Sequence, residues 1–119
     1  MRRRRVLIVE DDPMVALDLE AIVMGAAEAD VAVANSVREA RRVLGDAAFD
    51  AALLDIDVLD GKTFEVARLL AEQGTPFVFV SGARQEDVPP PLRQVPFLPK
   101  PYDPQDIERT FLARLAGQG

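Results

Sequence analysis

A few residues in this sequence combine the right type with a placement that could support chemistry: the adjacent pair Glu10-Asp11, the pair Asp55 and Asp57, the hydroxyl of Ser81 and the amine of Lys100. The chain has no His and no Cys. A disulfide framework, a thiolate or imidazole zinc site, a Cys nucleophile and every Ser-His or Cys-His arrangement are therefore excluded. What is left is carboxylate, hydroxyl and amine chemistry. Carboxylates held close together need a cation, since two unit charges about 4 Å apart repel by about 4 kcal/mol at an effective dielectric of 20. An all-oxygen donor set selects a hard ion, Mg2+ or Mn2+, over zinc. Taken together, Glu10, Asp11, Asp55, Asp57 and Lys100 carry −3, which a divalent cation reduces to −1. A phosphoryl group is repelled by the bare cluster and tolerated by the metal-loaded one.

Phosphoryl transfer asks little of a protein beyond positioning and charge neutralisation. A carboxylate can serve as the nucleophile and become an acyl-phosphate. Asp55 is the candidate, because it follows the continuously apolar run Ala51-Ala52-Leu53-Leu54 and should stand at the mouth of a central strand. Lys100 would place a point charge, and Ser81 a hydroxyl donor, on the phosphoryl oxygens. The phosphoryl donor must come from outside, and with no His in the chain a phosphohistidine donor would have to sit on a partner.

The elements that must position these residues are legible from hydrophobic patterning. Five short apolar runs recur at intervals of about 20 to 25 residues: Val6 to Val9, Val31 to Ala34, Ala51 to Leu54, Phe77 to Val80 and Val95 to Leu98. The first, third and fourth are nearly continuous, as expected of parallel strands covered on both faces. Between them lie helical patterns. Asp12 before Pro13 opens the first, with Val15, Leu19, Ile22, Val23 and Ala26 on one face. Ser36 and Glu39 make a capping box, with Val37, Ala40 and Leu44 behind it and Gly45 as the stop. Thr63 to Gln73 carries Val66, Ala67 and Leu70 before Gly74, and Asp103-Pro104 opens a last helix burying Ile107, Phe111, Leu112 and Leu115. The segment from Gly82 to Gln94 contains Pro89-Pro90-Pro91, which leaves room for one or two helical turns at most. The pattern predicts a (βα)5 unit with right-handed crossovers and helices on both faces. In such a sheet the C-terminal strand ends share one edge, where sites form. Glu10-Asp11, Asp55, Ser81 and Lys100 fall at the ends of strands one, three, four and five.

At 119 residues the chain reads as one domain, residues 1–119. Its net charge of −6 opposes nonspecific contact with nucleic acid or anionic membrane, and 13 acids lie between Glu10 and Asp60 against three Arg (Arg38, Arg41, Arg42). Arg2 to Arg5 followed by four apolar residues superficially resembles an export signal, but Glu10-Asp11-Asp12 ends the apolar stretch too soon. No run approaches the roughly 18 apolar residues that span a bilayer. A cytoplasmic protein is expected, with the Arg run a solvated lead-in to the first strand.

These residues match a known family. Val9-Glu10-Asp11-Asp12, Leu53-Leu54-Asp55, Ser81-Gly82 and Lys100-Pro101 together resemble a receiver domain of the two-component response-regulator family over the whole chain. The resemblance implies a flavodoxin-like fold with strand order 2-1-3-4-5 and a degenerate fourth helix. It implies Asp55 as phosphoacceptor, Glu10 and Asp11 as the acidic metal-binding pair, the backbone carbonyl of Asp57 as a further Mg2+ ligand, Ser81 and Lys100 as the switch hydroxyl and lysine, and Phe97 at the switch aromatic position. A core role for Phe97 is the alternative, and a cis Lys100-Pro101 bond would help aim the amine inward. The implied partners are a sensor histidine kinase or phosphotransfer protein and a downstream protein target.

Two departures stand out. Asp60-Gly61 arrives early without the usual Pro, and Pro89 to Pro91 fall where the family has its fourth helix. With Phe79-Val80-Ser81-Gly82, they resemble a subgroup of single-domain receivers from alphaproteobacteria whose motif there reads Phe-Ala-Thr-Gly. A monomer is expected, since the usual dimer surface surrounds the fourth helix. With no output domain after Gly119, such a chain would act by binding another protein or by draining phosphate from a kinase. Two other readings compete. Asp55-Ile56-Asp57 resembles the Asp-x-Asp motif of haloacid-dehalogenase-type phosphatases, and a receiver-like fold can serve as an interaction module without phosphorylation.

Overall fold

The computed structural model describes residues 3–117. The apolar runs form a parallel five-stranded sheet of β1 (Arg4–Val9), β2 (Ala29–Ala34), β3 (Ala51–Leu54), β4 (Phe77–Ser81) and β5 (Phe97–Pro99). The order is β2-β1-β3-β4-β5, the flavodoxin-like arrangement. Alternation of side chains explains why the central runs lack polar positions. Leu7, Val9, Ala52, Leu54, Phe77 and Phe79 enter one core cluster, while Val6, Ile8, Ala51, Leu53, Val78 and Val80 enter the other. Helices α2 (Val37–Asp46) and α3 (Phe64–Glu72) cover the first face, and α1 (Pro13–Ala26) and α4 (Pro104–Ala116) the second. Each fully buried aliphatic or aromatic side chain contributes about 1.5–3 kcal/mol. The sheet is thereby a rigid platform for the residues at its rim.

The helix starts follow their caps. Asp12 Oδ1 accepts from the amides of Met14 (2.9 Å) and Val15 (3.3 Å), and Asp103 Oδ1 accepts from Gln105 N (2.9 Å). Ser36 Oγ accepts from Glu39 N (3.0 Å), but the Glu39 carboxylate pairs with Arg42, so the capping box is only half made. The next donors of α2 go elsewhere: Asp60 accepts from Val37 N (2.7 Å) and Arg38 N (3.1 Å), tying the loop after β3 to the start of α2. Gly74, with φ of 72°, follows α3 in the left-handed conformation that favours glycine.

Several boundaries differ from expectation. Helix α2 runs through Gly45 to Asp46, because a single helical glycine costs only about 1 kcal/mol. Leu112 is 37 % exposed, since the buried stripe of α4 is Ile107, Phe111 and Leu115. Strand β2 starts two residues earlier than the apolar run, and β5 two residues later. After β3 the chain makes a small antiparallel hairpin, Asp57–Val58 with Gly61–Lys62, that the apolar pattern does not announce. The Pro-rich segment has the expected one-turn pieces, two 3-10 turns at Gln85–Asp87 and Pro90–Leu92, with Val88 and Leu92 buried against the sheet. The Lys100-Pro101 peptide is cis. Of the Arg run expected to lead into the first strand, Arg3 does so and pairs with Asp30 (2.9 Å), whereas Arg4 and Arg5 are already part of β1, the Arg5 guanidinium lying over the Phe49 ring; Arg2 lies outside the described residues. No helix among the described residues is long and apolar enough to cross a membrane.

Candidate functional site

The parallel ladder brings the C-terminal strand ends together. Asp55 N donates to Val9 O (2.8 Å), Glu10 N to Ala34 O (2.9 Å) and Lys100 N to Ser81 O (2.9 Å), so the four functional segments are fastened by backbone hydrogen bonds. Glu10, Asp55 and Ser81 are buried, with exposures of 2 %, 8 % and 1 %. Both carboxylate oxygens of Asp55 are engaged. Ser81 Oγ donates to Oδ1 at 2.6 Å and Lys100 Nζ to Oδ2 at 2.9 Å. Lys100 Nζ also donates to Glu10 Oε1 at 2.5 Å, and Glu10 Oε2 accepts from Asp12 N at 3.1 Å.

Burial pushes the Glu10 carboxyl above its ordinary range and the Asp55 charge adds to this, against the opposing hydrogen bonds from Lys100 and the Asp12 amide and the Lys100 charge. Burial alone would lower the Lys100 amine, but its hydrogen bonds to Glu10 and Asp55 and their charges outweigh that and hold it above its ordinary value. The amine is thus the fixed cation of an acidic pocket.

Glu10, Asp11 and Asp55 each offer a carboxylate oxygen, and these atoms lie within 4.8 Å of one another. An all-carboxylate cluster in which only Asp11 is partly exposed fits a hard divalent cation. Asp57 does not join the cluster through its side chain. Its exposed carboxylate pairs with Lys62 across the hairpin, where the two residues are register partners. The sequence-based charge of −3 is therefore corrected: the three clustered acids and Lys100 carry −2, which a divalent cation neutralises.

One residue outside the sequence-based set belongs here. Thr63, fully buried, donates its hydroxyl to the carbonyl of Asp55 at 2.6 Å, and its amide donates to Ile56 O at 2.9 Å. It caps α3 in position but spends its hydroxyl on the backbone of Asp55. A Thr at a helix start reads as a cap, so its type and position gave no sign of this contact. Phe97 is half-buried and packs against the core cluster of β3 and β4.

Residues 6–111 match the family described as the response regulator receiver domain, and the chain belongs to that family, the receivers of two-component response regulators. It is similar to the phyllosphere-induced regulator PhyR of Methylorubrum extorquens, 34 % identical over 106 aligned residues that cover 79 % of this chain and 39 % of that protein. The chain thus spans well under half the length of that relative. Among solved structures it is similar to SdrG from Sphingomonas melonis Fr1, at 33 % identity and a TM-score of 0.81, covering 98 % of this chain and 99 % of that one. A CheY-like receiver domain protein from Methanospirillum hungatei JF-1, at 22 % identity and a TM-score of 0.87 over 98 % of this chain and 97 % of that one, agrees in fold. Receiver domains as a class bind Mg2+ at an acidic pocket and interact with histidine kinases or phosphotransfer proteins and downstream targets.

Proposed function

We propose that this chain is a phosphoacceptor receiver in which Asp55 takes a phosphoryl group from a phosphohistidine on a sensor kinase or phosphotransfer protein. The observation that carries this reading is the convergence on one buried carboxylate, at the end of β3, of a hydroxyl, an amine and two further carboxylates from three other strand ends.

In this reading Glu10, Asp11, Asp55 and the backbone carbonyl of Asp57 hold Mg2+ (Mn2+ being a substitute), which supplies charge neutralisation for the incoming phosphoryl oxygens. An oxygen of Asp55 attacks phosphorus, the P–N bond of the donor breaks, and the imidazole leaves with its electron pair and takes up a proton. Lys100 turns from the Asp55 carboxylate to a phosphoryl oxygen, and Ser81 donates its hydroxyl to another. The net product is an acyl-phosphate that hydrolyses slowly, so the chain is a substrate and switch rather than a turnover enzyme.

The segment 82–97, built of two 3-10 turns in place of a helix, is the element this change would bias. Inverting a 1:99 population requires about 5.5 kcal/mol of differential interaction, within reach of a dianion facing a metal, a lysine and a hydroxyl. The output is protein–protein binding or removal of phosphate from a kinase, by a receiver domain acting as a monomer in the cytoplasm. Incubation with candidate kinases and labelled ATP tests this: label transferred to the parent and absent from Asp55→Asn supports it, and label equal in both refutes it. Continuous release of phosphate from a phosphomonoester would instead favour the phosphatase reading.

A further inference from the structure

Lys100 works only if its amine stays near both carboxylates, yet it sits in the four-residue connection between β5 and α4. Its backbone is fastened on the upstream side by the 2.9 Å bond from Lys100 N to Ser81 O. Downstream comes Pro101, which has no N–H to donate. The next residue is Tyr102, whose hydroxyl donates to Asp18 Oδ2 on α1 and whose half-buried ring packs into the cluster shared by α1 and α4.

These contacts close a ring. Glu10 Oε2 holds the amide of Asp12, and Asp12 caps α1. Helix α1 carries Asp18, which holds Tyr102, and two residues before Tyr102 the Lys100 amine returns to Glu10 Oε1. We propose that the Tyr102–Asp18 hydrogen bond is a positioning device for Lys100, fastening its loop to α1 so that the amine is presented to Asp55. This rests on the phosphoacceptor reading above.

The surroundings suit the role. Burial, the bond to Asp18 and the charges of Asp18 and Glu10 all raise the phenol well above its ordinary range, so it remains a donor throughout the physiological span. The part that matters is the hydroxyl rather than the ring. Tyr102→Phe keeps the packing and removes only the fastening, Asp18→Ala removes it from the other side, and Asp18→Asn keeps an acceptor oxygen in place.

The test follows initial phosphorylation rates with acetyl phosphate and Mg2+, together with the 15Nζ and 13Cε resonances of Lys100 in the metal-free protein. Tyr102→Phe and Asp18→Ala are expected to slow phosphorylation about ten-fold and to shift the Lys100 resonances, because misplacement of a catalytic group by a fraction of an ångström costs rate on that scale. Asp18→Asn is expected to stay near the parent, and Tyr102→Phe to cost nothing further once Lys100 is already Ala. Parent rates and unshifted Lys100 resonances in Tyr102→Phe would overturn the inference, as would an undiminished loss in the Lys100→Ala background. A parent that takes up no phosphate under these conditions or from a kinase would overturn the phosphoacceptor reading instead, and the Lys100 resonances would then decide the positioning on their own.

Discussion

Ser81 Oγ donates to Asp55 Oδ1 at 2.6 Å while the same oxygen accepts from the amides of Ala83 (3.1 Å) and Ile56 (3.4 Å). One hydroxyl thus orients the carboxylate at the end of β3 and pins the loop that leaves β4. A movement of this side chain toward a new partner must disturb both.

Ser81→Ala should therefore act on stability as well as on function. It removes a buried donor to Asp55 and an acceptor for two amides, and leaving such groups unsatisfied costs about 1–3 kcal/mol. Urea unfolding should show a lower midpoint with an unchanged slope, and phosphorylation should be slower. A midpoint equal to the parent's would mean that these bonds contribute nothing in the resting state.

Lys100→Met separates two effects of opposite sign. Glu10 and Asp55 lose the cation they share, which should cost up to about 3 kcal/mol without metal, the low end for a broken buried pair because the lysine side chain is 21 % exposed. The pocket charge becomes more negative by one, so Mg2+ should bind more tightly. Urea unfolding in EDTA and calorimetric Mg2+ titration check the two halves, and weaker Mg2+ binding would contradict the electrostatic argument.

Divalent cation should stabilise the parent in a concentration-dependent way, by about 2.7 kcal/mol at one hundred times its dissociation constant. Asp11→Asn removes one of the three clustered carboxylates and should shift that curve to higher Mg2+. Thermal unfolding across a Mg2+ series measures both, and an identical curve for the variant would remove Asp11 from the metal-holding set.

Asp60 makes a pH-dependent contribution that can be signed. Its bonds from the Val37 and Arg38 amides hold its carboxyl below the usual 3.8. A depressed carboxylate lends stability that is present above the unfolded value and is lost as pH falls through the lower folded one. Asp60→Asn should therefore lower stability near neutrality and flatten the stability profile in the acid range, as read by unfolding midpoints between pH 7 and pH 3. Parallel profiles for the two proteins would exclude the contribution.

Much of this molecule is written in local patterns. Val6 to Val9, Ala51 to Leu54 and Phe77 to Val80 declare doubly covered strands because every position is buried, and Asp12, Ser36 and Asp103 declare their helices because a cap is a short-range hydrogen bond. The placement of Glu10, Asp55, Ser81 and Lys100 follows, since strand ends in a parallel sheet share an edge. What escaped depends on partners distant in the chain. Thr63 reaches the carbonyl of Asp55, Asp60 caps α2 from 23 residues away, and the Asp57 carboxylate turns to Lys62 because a hairpin sets them opposite each other. Gly45 misleads because a glycine's cost is small beside the packing of the helix around it. Tyr102 and Asp18 are 84 residues apart, and no sequence pattern relates them.

The most direct measurement is the intact mass of parent and Asp55→Asn after incubation with Mg2+ and a phosphorylated histidine phosphotransfer protein. Asp55 as acceptor predicts that the parent gains the mass of a single phosphoryl group, that EDTA prevents the gain, and that the Asn variant gains nothing. A parent unchanged in mass, or a gain that survives in Asp55→Asn, would contradict it.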